Sequence, residues 1–354
     1  MDEAVFEDFL KYFKACKGRI VIFTGAGIST SANIPDYRGT NGLYNKKKTK
    51  LPKLRLVEAT SAKPTLTHMA IQTLVKNEYV RHVVSQNVDG LHLRSGLPRE
   101  KLSEIHGNLF IEICHQCNFE FFRSFDVAET TGRSRHLTGR VCPRCAKDDL
   151  NVRIENLIKF YISKRANKKI SKVSMMRMYR RAAFTLWSKD RNLPLLHDVI
   201  VHYFEKQNSF GLKTIYRLDE ACKAVHGSQD VNLEIIEEKD EPAQLIICVG
   251  SSLTVLRNYS FLWPDGLGKS SKTLVNVDHL NVRLAINTLQ PTCKDGLAKY
   301  LFRVKCDEFF EKLISALDMD IPHFDPNSHD QIKMWALPIT EAEKPSKTRE
   351  ERLF

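Results

Sequence analysis

Residues 21 to 44 read VIFTGAGISTSANIPDYRGTNGLY, an apolar run that breaks at Gly25 into glycine, hydroxyls and charge. An apolar segment ending in glycine has the form of a buried strand that feeds a ligand-binding turn. Gly25 and Gly27 supply a G-x-G, but Thr30 stands where a redox dinucleotide fingerprint has its third glycine. No clear acidic residue ends a second strand about twenty residues on, where such folds clamp the ribose. The stretch matches a dinucleotide fingerprint by half and leaves Pro35-Asp36-Tyr37-Arg38 to be explained.

Working outward, Glu3 to Cys16 places Val5, Phe6, Phe9, Leu10 and Phe13 near helical spacing. Strands are expected at Arg19–Phe23, Val80–Ser85, Leu109–Ile113, Ala243–Val249 and Thr273–Val277, and a helix at Thr65–Leu74. Strands separated by helical stretches imply an α/β fold with a Rossmann-like parallel sheet, ligands lying at the strands' carboxyl ends. A cysteine-rich piece interrupts the alternation and reads as a small inserted zinc-ribbon domain. The expected organisation is a first Rossmann-like part over 1–110, a zinc module over 111–150 and a basic insertion over 151–194. A second Rossmann-like part follows over 195–318, then a polar tail over 319–354. From Asp325 onward the sequence is polar and aperiodic, which predicts disorder.

The chain has 354 residues and a net charge of +12, but the charge is local. Residues 151 to 194 hold 12 Lys/Arg and 2 Asp/Glu, whereas the rest of the chain is nearly balanced. That segment has three open readings: a solvated basic insertion touching nucleic-acid phosphates, a disordered loop, or translated intron between flanks that join well without it. Residues 226 to 242 are acidic and read as a surface loop. No apolar run reaches the roughly 18 residues of a membrane helix, so no membrane partner is expected. The N-terminus has no basic region of a secretory signal. Nine cysteines, an odd number, argue for a reducing compartment and against a disulfide scaffold.

Cys114-His115-Gln116-Cys117 and Cys142-Pro143-Arg144-Cys145 are two C-x-x-C pairs with 24 residues between them. Four thiolates at ribbon-like spacing suit Zn²⁺, which accepts four sulfurs tetrahedrally at about 2.3 Å. Cys114, Cys117, Cys142 and Cys145 fill that shell, so His115 is not expected to be a ligand. Three further motifs lie at expected strand ends: QNVDGLH (86–92), EIHGN (104–108) and GSS (250–252). Asn87 and Asp89, at alternate positions, offer an amide and a carboxylate to a nucleotide, though a polar turn before Gly90 has the same form. His106 is a candidate general base because imidazole titrates near neutral pH. Gly250, Ser251 and Ser252 offer N–H donors and hydroxyls to phosphate or ribose.

In order, GAGIS, IPDYRG, QNVDGLH, IHGN, the two C-x-x-C pairs and GSSL resemble a sirtuin, an NAD-dependent protein deacylase. PTLTHM (64–69), HVVSQNVDGLHLRSGLPR (82–99) and TGRVCPRC (138–145) resemble the class IV branch, most of all the seventh mammalian sirtuin. The resemblance implies NAD+ and Zn²⁺ as cofactors, acyl-lysine proteins such as histone tails as substrates, and a nuclear, chromatin-associated setting. It implies that Gly25, Ala26, Gly27 and Thr30 approach the pyrophosphate and that Asp36, Tyr37 and Arg38 belong to the cofactor loop. Gln86, Asn87 and Asp89 would line the ribose and nicotinamide pocket, with Asn87 and His106 catalytic and His106 the proton acceptor. Gly250, Ser251 and Ser252 would hold phosphate and ribose, Asn276 and Asp278 would lie near the adenosine ribose, and Cys306 near adenine. Phe204, in the expected peptide-binding strand Val201–Glu205, stands where the family usually has glycine, which puts acyl preference in question. Mono-ADP-ribosyl transfer to protein, or a weakly catalytic NAD- and zinc-binding chromatin module, remain as alternatives.

Overall fold

The computed structural model describes residues 1–34, 60–128, 131–132, 136–146, 148–164, 172–201, 217–227, 241–264, 267 and 281–337. The first half runs α1 (Glu3–Ala15), β1 (Ile20–Thr24), α2 (Leu66–Lys76), β2 (Val80–Ser85), α3 (Leu91–Arg94), β3 (Leu102–Glu104), β4 (Ile111–Cys114), β5 (Glu120–Phe122) and β6 (Leu137–Val141). It continues through α4 (Asp148–Ser163), α5 (Lys172–Lys189), β7 (Leu195–Asp198), α6 (Leu218–His226), β8 (Leu245–Val249), β9 (Arg283–Asn287), β10 (Tyr300–Phe302), α7 (Cys306–Ser315) and α8 (Gln331–Trp335). The chain divides into two compact units: 1–87, 91–105 and 213–331 form the first, and 88–90, 106–212 and 332–354 the second.

The first unit is built on a six-stranded sheet in the order β10-β9-β8-β1-β2-β3, parallel at every pairing. From β1 the chain builds outward through β2 and β3 on one side and β8, β9 and β10 on the other. That reversal falls between β1 and β8, and open parallel sheets bind ligands outside the carboxyl ends at such a point. Every residue of β1 (IVIFT) and β8 (LIICV) is buried. Both faces are covered, so these strands read as continuous apolar runs. Asp2 caps α1 by accepting from the Val5 N–H at 3.3 Å, and the helix buries Phe6, Phe9 and Phe13. Phe9 meets Tyr300, Phe302 and Phe309 at ring separations of 5.3 to 5.8 Å, which closes the β10 edge with aromatic packing.

The second unit contains a four-stranded antiparallel sheet in the order β5-β4-β7-β6. Wholly buried Glu112 on β4 accepts from Arg123 and from Arg140, each at 2.7 Å, one carboxylate oxygen per guanidinium. His136 meets Asp198 at 3.0 Å in the same sheet.

The described residues of this segment, 151–164 and 172–194, are not the disordered loop that the sequence leaves open as one reading. They form most of a helical hairpin, α4 and α5, whose apolar stripe (Leu150, Ile154, Ile158, Met178, Ala182, Ala183, Leu186) packs with Leu137 and Leu195 of the sheet. Gly139 of β6, at φ +91°, lies directly beneath α5: a Cβ there would stand 2.9 Å from the Arg180 backbone nitrogen. The far end also differs from expectation. Residues 319–337 are described, Ile332 of α8 is buried, and only residues beyond 337 fall outside the description. Hydrophobic contact, invisible in a polar composition, accounts for this: Ile332 lies against the position of Gly90.

Candidate cofactor cradle and four-cysteine centre

In the first unit the backbone ladder continues past the strands into the loops that follow them. Gln86 N–H donates to Thr24 O, Gly25 N–H to Val249 O, and Gly250 N–H to Asn287 O, each at 3.0 Å. Four strand ends, β2, β1, β8 and β9, are thereby fixed in register. Above this ladder Gly27 N–H donates to Gly250 O at 2.8 Å. The two glycine loops touch so closely that a Cβ on Gly25 would lie 2.7 Å from the Ser251 Cβ. A Cβ on Gly27 would lie 2.7 Å from the Gly250 Cα. The glycines expected to admit a pyrophosphate are thus also required where two loops of the protein meet.

Side chains tie the same loops together. Gln86 Nε2 donates to Ser251 Oγ at 2.8 Å, and that oxygen also accepts from Leu253 N–H at 3.1 Å. Asn87 Nδ2 donates to Gly25 O at 3.2 Å and to Ser29 Oγ at 3.3 Å. Thr30 Oγ1 turns back to Gly27 O at 2.9 Å, and Ser252 Oγ lies 3.1 Å from Thr254 Oγ1. Ala26 opens the 3-10 turn Ala26–Ala32. The structure therefore brings Gly25, Ala26, Gly27, Thr30, Gln86, Asn87, Gly250, Ser251 and Ser252 to the carboxyl ends of adjacent parallel strands. Beneath them, Thr24 Oγ1 meets His92 Nε2 at 3.0 Å, and His92 stacks edge-on to His68 at 4.9 Å.

Two expected residues, Asn276 and Asp278, lie outside the described residues, as do Asp36, Tyr37, Arg38 and Phe204. The strand beside β8 is β9, ending in Asn287. Asn287 does not stand out in the sequence, because the chain has two short apolar runs ending in asparagine, Leu274-Val275-Asn276 and Leu284-Ala285-Ile286-Asn287. Asn287 is wholly buried, and neither its Oδ1 nor its Nδ2 has a protein partner among the described residues. An unsatisfied buried amide beside Gly250 fits a site completed by the hydroxyls of a ligand sugar. Cys306 begins α7, and burial raises its thiol to about 12, which keeps it neutral near physiological pH.

Asp89 and His106 belong to the second unit. Asp89 is buried in the segment held by Leu109 N–H donating to Val88 O at 2.9 Å. His106 O accepts from Val201 N–H at 3.0 Å. Gly107 follows at φ +84°, and a Cβ there would stand 1.7 Å from the Val199 carbonyl oxygen. Only glycine fits, so the His106 turn is set by a backbone-to-backbone contact.

The four-cysteine centre lies at the ends of β4 and β6. Cys114 ends β4 and Cys142 follows β6, so two adjacent turns present one thiol pair each. Gln116 N–H donates to Cys114 Sγ at 3.3 Å, and Cys142 N–H to Pro194 O at 2.8 Å. The sulfurs of Cys114, Cys117, Cys142 and Cys145 all lie within 4.8 Å of one another. Cys117 and Cys142 are separated by 3.9 Å, close to the about 3.8 Å edge of a tetrahedron with 2.3 Å zinc–sulfur bonds. Four soft donors in that arrangement fit Zn²⁺. His115 is exposed and is not one of the four clustered residues.

Residues 51–225 match the model of the Sir2 family. The chain is 36% identical over 335 residues to the NAD-dependent protein deacetylase sirtuin-7 of Rattus norvegicus, and equally to that of Homo sapiens. Those alignments cover 93% of this chain and 64% of each relative. Over 135 residues it is 47% identical to the NAD-dependent protein deacetylase Sirt6 of Drosophila melanogaster, which covers 37% of this chain and 42% of that one. A solved complex of a mutant Sir2 homologue with ADP ribose shares the fold, with a TM-score of 0.51 at 20% identity over 91% of this chain and all of that one. Fold and sequence together show that the chain carries a Sir2 family domain, a Rossmann-like sheet with a four-cysteine module. Within that family its similarity runs to sirtuin-7 of several mammals, the class IV branch, and it spans 64% of their length.

Proposed function

We propose that the chain is an NAD-dependent protein-lysine deacetylase that acts on acyl-lysine in histone tails or other nuclear proteins. The observation that carries this reading is the cradle at β2, β1, β8 and β9: two glycine loops in backbone contact, Gln86 and Asn87 braced against them, and Asn287 unsatisfied beside them. NAD+ supplies an electrophilic ribose carbon, C1′, from which nicotinamide is displaced. Ser251, Ser252 and Asn287 hold phosphate and ribose. Asn87, held by Gly25 O and Ser29 Oγ, orients the nicotinamide side of the site. His106 takes the proton from a ribose hydroxyl once the acyl-lysine oxygen has engaged. The four cysteines hold a structural Zn²⁺ that takes no part in the chemistry, since a closed four-sulfur shell leaves no position for water. Nuclear placement is part of the same proposal.

The test is to incubate the zinc-loaded protein with NAD+ and an acetyl-lysine histone peptide, and to measure nicotinamide release. Release at least tenfold above the His106→Tyr variant is expected. Release no greater than that of the variant contradicts the reading.

A further inference from the structure

The α4–α5 hairpin belongs to neither the cradle nor the zinc centre, and its exposed side differs from an ordinary solvated face. From Asn156 to Lys189 the sequence has no Asp or Glu and ten Lys or Arg residues. Soluble surfaces normally intersperse both signs. On α5, Arg177, Arg181, Phe184 and Ser188 are all exposed and recur every three or four residues, with Arg191 continuing the line past the helix end. On α4, Lys159, Phe160 and Lys164 are exposed. Phe160 and Phe184 are 50% and 53% exposed, although an apolar stripe on the same hairpin packs fully.

Between the helices lies a cleft of about 380 Å³ lined by Phe160, Tyr161, Lys164, Ser174, Arg177, Met178 and Arg181. Among the described residues the lining contains three cations, two aromatic rings and no carboxylate. Two of these cations lie over rings: Arg181 is 4.9 Å from the Tyr161 centroid and Lys164 is 4.6 Å from that of Phe160. Farther along, Arg191 stacks over Trp187 at 3.6 Å. Aromatic faces interleaved with guanidinium groups, on a surface where cations outnumber the exposed carboxylates Asp149, Glu155 and Asp190, are what a flexible polyanion with planar bases requires.

We infer that the exposed face of the α4–α5 hairpin binds single-stranded nucleic acid, with the cleft between the helices seating one nucleotide. Arg177, Arg181 and Lys164 take the phosphates, and Phe160 and Phe184 offer faces on which bases stack. Duplex is disfavoured because its bases already stack on one another and leave the phenylalanines without partners. This site is separate from the proposed deacetylase chemistry and does not depend on it.

The test uses the full zinc-loaded chain and fluorescence anisotropy with labelled 20-nucleotide oligo(dT), the matching RNA, and a duplex of equal length. Arg177→Glu with Arg181→Glu should weaken single-strand binding at least tenfold and lower the slope of log affinity against log salt by about 1 to 2. Phe160→Ala with Phe184→Ala should weaken single strands at least fivefold and duplex less than twofold. All four side chains are exposed, so unchanged helical circular dichroism and zinc content will show that the variants fold. Affinity within twofold of wild type in the arginine variant overturns the inference. Equal losses for single strand and duplex in the phenylalanine variant do so too, since the face would then be a general polyanion surface.

Discussion

Gly27 donates its backbone N–H to the carbonyl of Gly250 at 2.8 Å, and neither residue has room for a side chain. A Cβ on Gly250, at φ +60°, would stand 2.7 Å from the Ile28 nitrogen. The G-x-G of the first loop is therefore read by the second loop as well as by any ligand. Gly27→Ala must push two backbones apart, and overpacking of this kind costs about 1 to 3 kcal/mol. The expected result is a melting temperature several degrees lower with loss of NAD+-induced stabilisation. A variant that melts normally and is still stabilised by NAD+ would show that the two loops yield freely.

The second-unit sheet offers a test of its buried ion network. Glu112→Ala would leave Arg123 and Arg140 buried without their carboxylate, and breaking such an arrangement from one side costs about 3 to 5 kcal/mol. Chemical denaturation should show a loss of that order, with the midpoint shifted at unchanged slope. A loss below about 1 kcal/mol would mean that water enters to replace the carboxylate.

The hairpin should matter to stability if it is a genuine element. Leu186→Ala removes a side chain from the stripe that packs on Leu137 and Leu195, and such truncations cost about 2 to 5 kcal/mol. A disordered loop or translated intron would tolerate the change without effect. Thermal melting of the variant beside wild type separates the two cases, and sequencing cDNA across codons 145 to 205 checks the intron reading independently.

Much of the fold was legible because its signals are local. β1 and β8 are nearly continuous apolar runs, and two complete C-x-x-C pairs announced the metal centre. What stayed hidden depended on contacts between distant segments. Asn287 is singled out by the pairing of β9 with β8, and Ile332 packs against Gly90 at a distance that a Cβ there would close to 2.8 Å. In the hairpin the charge concealed an apolar stripe spread over two helices, three of its seven residues being alanine or methionine. The second role of Gly25 and Gly27 likewise requires knowing that the loop at Gly250 lies against them.

Three histidines of the first unit make it sensitive to acid. Burial lowers His82 and His92 to about 3 and His68 well below its ordinary value, and Lys101, Arg217 and Arg99 push His82 further down. Below about pH 6.5 the unfolded chain binds protons that the folded chain refuses, so stability is full above that pH and falls as pH drops. Each ring contributes a loss of up to about 1.4 kcal/mol per pH unit. Melting curves at pH 7.5, 6.0 and 5.0 should fall steeply, and His82→Gln should flatten the trend. A melting temperature independent of pH over that range would show that the rings are reached by water.

Removing the metal should unfold the four-cysteine module and leave the first unit's sheet intact, because the cysteines lie wholly in the second unit. A chelator strong enough to strip zinc is expected to release one equivalent per chain. Loss of far more than one equivalent, or none, would contradict a single closed centre.

The most direct measurement follows the sugar product by mass spectrometry when NAD+ and an acetyl-lysine histone peptide are supplied. The proposal predicts O-acetyl-ADP-ribose and free lysine in equal amounts, both abolished in His106→Tyr. ADP-ribose attached to the peptide, with the acetyl group still on its lysine, would contradict it.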